Sequence, residues 1–212
     1  MTWRVVSWCL IVVFVVIVIT SGMVFGNDIG HDGVDHSFVI RSVGRYVVPD
    51  VTLIDQDSQR IQLEQALSAP KPALVEFFFT TCTTFCDLRA ARLLAVQNEL
   101  AKDNIEIDFF SISTDPEFDT PTRLRSYAGR FRPVPRNWSL LTGTVSEIKQ
   151  VETSFEAQNP SADKMLHQPL TFIQPRPGTE WIRLEGMMSN VALAEHVRQV
   201  IARSYARVSS QH

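Results

Sequence analysis

The chain has 212 residues, of which 45% are hydrophobic and 20% charged. That length supports one domain with a full core beside a short targeting segment, leaves little for a second domain, and the composition excludes global disorder. A net charge of −3 offers no basic footprint for nucleic acid.

From Val5 to Phe25 the residues are nearly all apolar and none is charged. At 1.5 Å per residue such a run crosses a hydrocarbon layer of about 30 Å. Arg4 precedes it, which places the N-terminus in the cytoplasm and the rest of the chain across the membrane. The run is long and only Thr20-Ser21-Gly22 offers small residues, so an uncleaved anchor over residues 1–26 is expected rather than a cleavable signal peptide. On either reading the domain is exported to where disulfides persist.

Residues 27–44 are polar and Gly-rich and read as a linker, followed by a domain over 45–206 and a short tail over 207–212. Residues 47–54 and 61–63 flank the turn-rich Asp55-Gln56-Asp57-Ser58 and predict a β-hairpin. Ala73–Phe79, rich in aromatics, suits a central strand buried on both faces. A helical pattern follows, with apolar positions at Leu88, Ala91, Leu94, Ala95 and Leu100. Ile105–Ser113 reads as a second strand. Asp119-Thr120-Pro121 opens another helix, with a capping side chain and then Pro in the first turn. Trp138–Gly143 leads into a helix over roughly 144–157. Leu170–Ile173 and Glu180–Leu184 flank Pro175-Arg176-Pro177-Gly178, a hairpin signal, and a last helix runs from Val191 to Tyr205. Strands alternating with helices, closed by a hairpin and a helix, indicate an α/β sandwich.

Three cysteines are present: Cys9 in the apolar run, then Cys82 and Cys86. The close pair reads as a redox pair or as two metal ligands, where a buried strand turns into a helix. Unpaired N–H groups and the positive dipole end of a helix N-terminus favour thiolate over thiol. Soft thiolates suit Cu(I), and the same sulfurs could form a small-loop disulfide. Two inert readings stand beside these: a disulfide that only staples the loop, and buried thiols acting as small hydrophobes. His167, just before Pro169 and the strand that follows, is the favoured third ligand over His31, His36, His196 and His212. Met165 could offer a thioether but reads better as core. Glu76, inside the apolar strand, is either a buried carboxylate near the cysteines or a group at a wet strand edge. Asp115 and Asp119 read as turn and cap chemistry, and Trp138, Phe155, Phe172 and Trp181 as packing.

Phe77-Phe78-Phe79-Thr80-Thr81-Cys82-x-x-x-Cys86 resembles the apolar strand and CxxxC of the Sco/SenC family. Ser113–Pro121 is similar to that family's SxDPxxDTP segment, and Trp138–Gly143 to its WxxLTG. The motifs occur in the same order, over most of the chain beyond the anchor. The resemblance implies a thioredoxin-like sandwich: a central mixed sheet with flanking helices, plus an N-terminal transmembrane helix. It implies copper as the bound ion, held by Cys82, Cys86 and His167, and a role in assembling the copper site of cytochrome c oxidase. The implied partner is an oxidase subunit or another copper- or thiol-bearing protein. The implied location is the inner membrane with the domain in the periplasm, or the mitochondrial intermembrane space. Two departures stand out: Asp87 replaces the Pro that usually follows the second cysteine, and His167 sits in Leu-His-Gln-Pro. The stretch Gln168–Phe172 resembles the cis-proline strand of thioredoxins. Thiol–disulfide exchange through Cys82 and Cys86 is therefore the alternative, with Cys82, nearer the solvent, as the attacking thiol. A thiol peroxidase is disfavoured, because no proline precedes Cys82 in the loop.

Overall fold

The computed structural model describes residues 39–82, 86–161, 163 and 168–209. The anchor expected over 1–26 lies outside these residues. Among those described, no helix is long and apolar enough to cross a membrane.

The elements in chain order are β1 (Ile40–Gly44), β2 (Thr52–Asp55), β3 (Arg60–Gln62), α1 (Leu63–Leu67), β4 (Ala73–Phe78), α2 (Cys86–Ala101), β5 (Asp108–Ser113), α3 (Pro121–Ala128), β6 (Trp138–Thr142), α4 (Val145–Ser154), β7 (Leu170–Gln174), β8 (Trp181–Glu185) and α5 (Asn190–Ser209). The strands form one mixed sheet in the order β1-β8-β7-β4-β5-β6-β2-β3. β4, β5 and β6 run parallel, joined by helices as parallel neighbours require. The β2–β3 and β7–β8 hairpins are antiparallel, as their turn residues predict.

β4 is buried along its whole length. Because side chains alternate across a strand, Leu74 and Phe78 join one core layer while Ala73, Val75 and Phe77 join the other. The first layer packs under α2, α3 and α5, through Leu93, Val96, Leu124, Val197 and Val200. The second packs under α1 and α4, through Leu63, Ile148 and Val151. In that layer Phe155 meets Phe172 edge-on at 5.1 Å and Trp181 at 5.2 Å. Such pairs contribute roughly 0.5–1.5 kcal/mol each beyond their buried area. This arrangement, a central mixed sheet with helices on both faces, is the thioredoxin-like α/β sandwich that the sequence resemblance implies.

Trp138–Thr142, which leads into α4 as expected, is itself a strand, parallel to β5 and antiparallel to β2. Three expectations need correction. Residues 40–44, assigned to the linker, form a strand that pairs antiparallel with β8. The last helix runs on to Ser209, into the expected tail. The buried face of α2 carries Ala90, Leu93, Val96 and Leu100, while Leu88 is 58% exposed. The helix is therefore turned from the apolar face that its sequence suggests, and the cause lies in the polar groups beneath it.

Helix starts follow local chemistry. Thr120 caps α3, with Pro at its first turn. Thr144 and Glu147 form a reciprocal capping box on α4. A Cβ at Gly143 before it would lie 2.9 Å from the Leu53 Cδ2 and 3.0 Å from the Glu147 Oε2, so either side-chain tip would have to shift to admit one.

Candidate metal and thiol site

β4 delivers the chain to Cys82, and Cys86 opens α2. Cys82 is a free thiol, 3% exposed, and its amide donates to the Phe79 carbonyl at 3.3 Å. It belongs to the apolar layer that also contains Phe78, Phe79, Ala90 and Leu93. The expectation that Cys82 stands near solvent is therefore corrected: its sulfur is in a dry, apolar surround. Cys86 occupies the first position of α2, where backbone N–H groups lack partners within the helix. The side chains of Cys86 and His167 lie outside the described residues, as does Met165. Among the described residues no three His, Cys, Asp or Glu side chains converge to hold a metal.

The loop that carries Cys82 is tied down by Asp119, which is fully buried. Its carboxylate accepts from the Thr80 amide at 3.0 Å, from the Thr80 hydroxyl, and from the Ser113 hydroxyl at 2.6 Å. Ser113 in turn accepts from the Asp115 amide at 3.1 Å. Asp119 thus acts as an acceptor hub between the ends of β4 and β5; the capping role belongs to Thr120.

Asp87, where the family pattern has Pro, forms a two-pronged ion pair with Arg130, both bonds being 2.9 Å. The carboxylate lies in the first turn of α2 and complements the dipole there. Arg130 also lies over the Tyr127 ring at 4.3 Å. The pair is about half exposed, so it contributes little beyond orientation.

Glu76 is resolved as a buried carboxylate, 3% exposed. The alternation of β4 aims it at α2, and two helix arginines meet it. Arg92 approaches at 2.6 Å and Arg89 at 3.5 Å, both nearly fully buried. The Thr171 hydroxyl on β7 donates to Glu76 at 2.8 Å. These arginines were missed from sequence, although Glu76 in an apolar strand demands a buried cation within reach. Meeting it brings positions 89 and 92 inward and turns Leu88 outward.

The expected cis proline does not lie at the start of β7. Among the described residues the cis peptide is Arg132–Pro133, not Gln168–Pro169. The aromatic assignments hold: Trp138, Phe155, Phe172 and Trp181 are all at most 2% exposed.

The chain is similar in sequence to curated proteins and in fold to solved structures. A Bacillus subtilis SCO1 protein homolog is 34% identical over 128 residues, which cover 58% of this chain and 65% of that one. An SCO2-like protein of Rickettsia conorii is 30% identical over 107 residues, half of each chain. The chain thus spans less than two thirds of the length of these curated relatives. Among solved structures, BsSco has a TM-score of 0.63 at 27% identity, covering 77% of this chain and 98% of its own. It is described as a member of the Sco family of cytochrome c oxidase assembly proteins with a disulfide switch. Arabidopsis thaliana ScoI with copper bound superposes with a TM-score of 0.62 at 24% identity, over 76% of this chain and 99% of that one. The SCO1/SenC family model matches residues 42–202, from β1 to within α5 and across the whole cysteine-bearing scaffold, and the chain belongs to that family.

Proposed function

We infer that this protein is a membrane-anchored copper-binding protein that assists assembly of the copper site of cytochrome c oxidase. The observation that carries the reading is the placement of Cys82 and Cys86, one in the loop four residues beyond the central strand and one at the first position of the helix that follows. Two sulfurs four residues apart suit a soft monovalent ion. The open N–H groups at the start of the helix favour thiolate, the form in which a cysteine binds the ion. His167, three residues before β7, is the proposed third ligand. Copper is the cargo: the reduced thiols give up their protons on binding and recover them on transfer to a recipient's ligands, with no electron change. Family membership supports the reading, as does the copper carried by ScoI of Arabidopsis thaliana. The apolar run over residues 5–25 supplies the proposed anchor, with the domain on the periplasmic side of the inner membrane or in the mitochondrial intermembrane space. The partner is an oxidase subunit or another copper- or thiol-bearing protein.

The test is a Cu(I) titration of the reduced full-length chain in detergent, beside Cys82→Ser/Cys86→Ser. Tight binding by the wild type and none by the double variant is expected. Equal binding by both would remove the reading, while full affinity in His167→Ala would remove only the third ligand.

Thiol–disulfide exchange through the same pair is the second reading. The disulfide switch described for BsSco favours it. The 3% exposure of Cys82 weighs against Cys82 as the attacking thiol, because attack requires access. Trapping of mixed disulfides by Cys86→Ser tests it, and recovery of none would discount it.

A further inference from the structure

One guanidinium is buried between β4, β7 and the first turns of α2. Arg89 stands three residues after Cys86, hence one turn further along α2. It is 3% exposed. Its Nη1 donates to the Phe77 carbonyl at 3.0 Å and its Nη2 to the Leu170 carbonyl at 3.0 Å. Phe77 lies on β4, five residues before Cys82, and Leu170 opens β7, three residues after His167.

The location within the sheet is specific. The ladder between β4 and β7 ends at the pair Glu76–Thr171. Immediately beyond it the two strands are joined through the Arg89 side chain. The guanidinium is held from behind by Glu76, whose other contacts are Arg92 and the Thr171 hydroxyl. A planar fork with two terminal N–H groups can span two carbonyls at once, which a lysine ammonium on its flexible stem does not reproduce.

We propose that Arg89 is a positioning residue of the copper site, fixing the exit of β4 toward Cys82 and the start of β7 to the first turn of the helix that begins with Cys86. The inference rests on the copper reading above. Arg89 touches no copper; it acts by holding the ligand-bearing segments in register before the ion arrives. Groups that orient metal ligands in this way typically contribute 10–100-fold to metal affinity. Arg92 provides the contrast. It bonds Glu76 at 2.6 Å and the Met188 carbonyl at 3.4 Å, and joins neither Phe77 nor Leu170.

The experiment compares the reduced full-length chain with Arg89→Met and Arg92→Met. Cu(I) affinity is read by competition with a chromophoric Cu(I) chelator, and the Tm of the copper-free protein is read beside it. Both variants are expected to lower the Tm. Only Arg89→Met is expected to weaken Cu(I) binding, by about 10–100-fold, with Arg92→Met within about twofold of the wild type. Should Arg89→Met not fold, Arg89→Lys and Arg92→Lys are compared in the same way, with the same expected split. Equal affinity in the wild type and the Arg89 variant, or equal losses in the Arg89 and Arg92 variants, overturns the positioning role and leaves copper binding intact. A wild type that takes up no Cu(I) overturns the copper reading itself, and this inference with it.

Discussion

Two buried carboxylates hold the chain leading to Cys82, and they are satisfied in opposite ways. Asp119 accepts hydrogen bonds from neutral donors: one amide and two hydroxyls. Glu76 is met by two guanidiniums and one hydroxyl. The Asp119 region links the ends of two strands to a loop, over short distances, where backbone and small hydroxyls are already at hand. The Glu76 region links a strand to a helix above it, and only long side chains span that gap. Neutral donors thus fasten the loop locally, while charge fastens the helix to the sheet. The second device carries the greater risk, because it fails if any one ion is lost.

That contrast is broken most severely at Glu76. Glu76→Gln leaves two buried guanidiniums with no carboxylate and should cost about 3–5 kcal/mol in denaturant unfolding. Glu76→Met/Arg89→Met/Arg92→Met removes all three charges together and should recover most of that loss. A cost under about 1 kcal/mol for the single change would mean that charge does not dominate there. Asp119→Ala comes next. It strips three donors of their acceptor and should cost about 2–3 kcal/mol. Hydrogen exchange should show the Thr80 amide losing more protection than the amides of β4. Uniform loss would contradict a local fastening.

Thr144→Ala, in the capping box of α4 away from both carboxylates, should cost about 1 kcal/mol. It should leave Cu(I) affinity unchanged, which makes it a control for stability loss alone. The smallest effect concerns pH. Burial holds the pKa of His196 below its ordinary value, with Arg41 and Arg203 adding to the shift and Glu195 opposing it. The unfolded chain then binds the proton more readily than the folded one, so stability rises with pH. The contribution is complete above about pH 6.5 and is lost as the pH falls below it. A Tm series from pH 8 to 5 should decline less in His196→Gln than in the wild type; parallel curves would contradict this.

The two hairpins were legible because turn residues and alternation are local signals. Asp55–Ser58 and Pro175–Gly178 mark the β2–β3 and β7–β8 turns directly. The buried face of α2 was not legible. Counting apolar residues picks Leu88, Ala91 and Leu94, yet Leu88 is 58% exposed and Arg89 is 3% exposed. A tertiary partner, Glu76 on β4, outweighs the hydropathy of the helix, and no helix-local pattern reveals that. β1 escaped for the converse reason. It is an edge strand with an almost wholly exposed residue pattern, so its sequence reads as linker. At the site, the cysteine pair was read correctly as a strand-to-helix junction. The burial of Cys82 was not, since it depends on helices α3 and α5 closing over the same layer. Asp119 reads as a cap from sequence because it stands beside one; its partners are Thr80, in the loop after β4, and Ser113, at the end of β5.

The central claim is that Cys82 and Cys86 hold copper together at the front of α2. X-ray absorption at the copper edge of the Cu(I)-loaded full-length chain tests it most directly. Two sulfur scatterers are predicted, both absent from Cys82→Ser/Cys86→Ser. A shell of nitrogen and oxygen alone, unchanged by the double substitution, would contradict it.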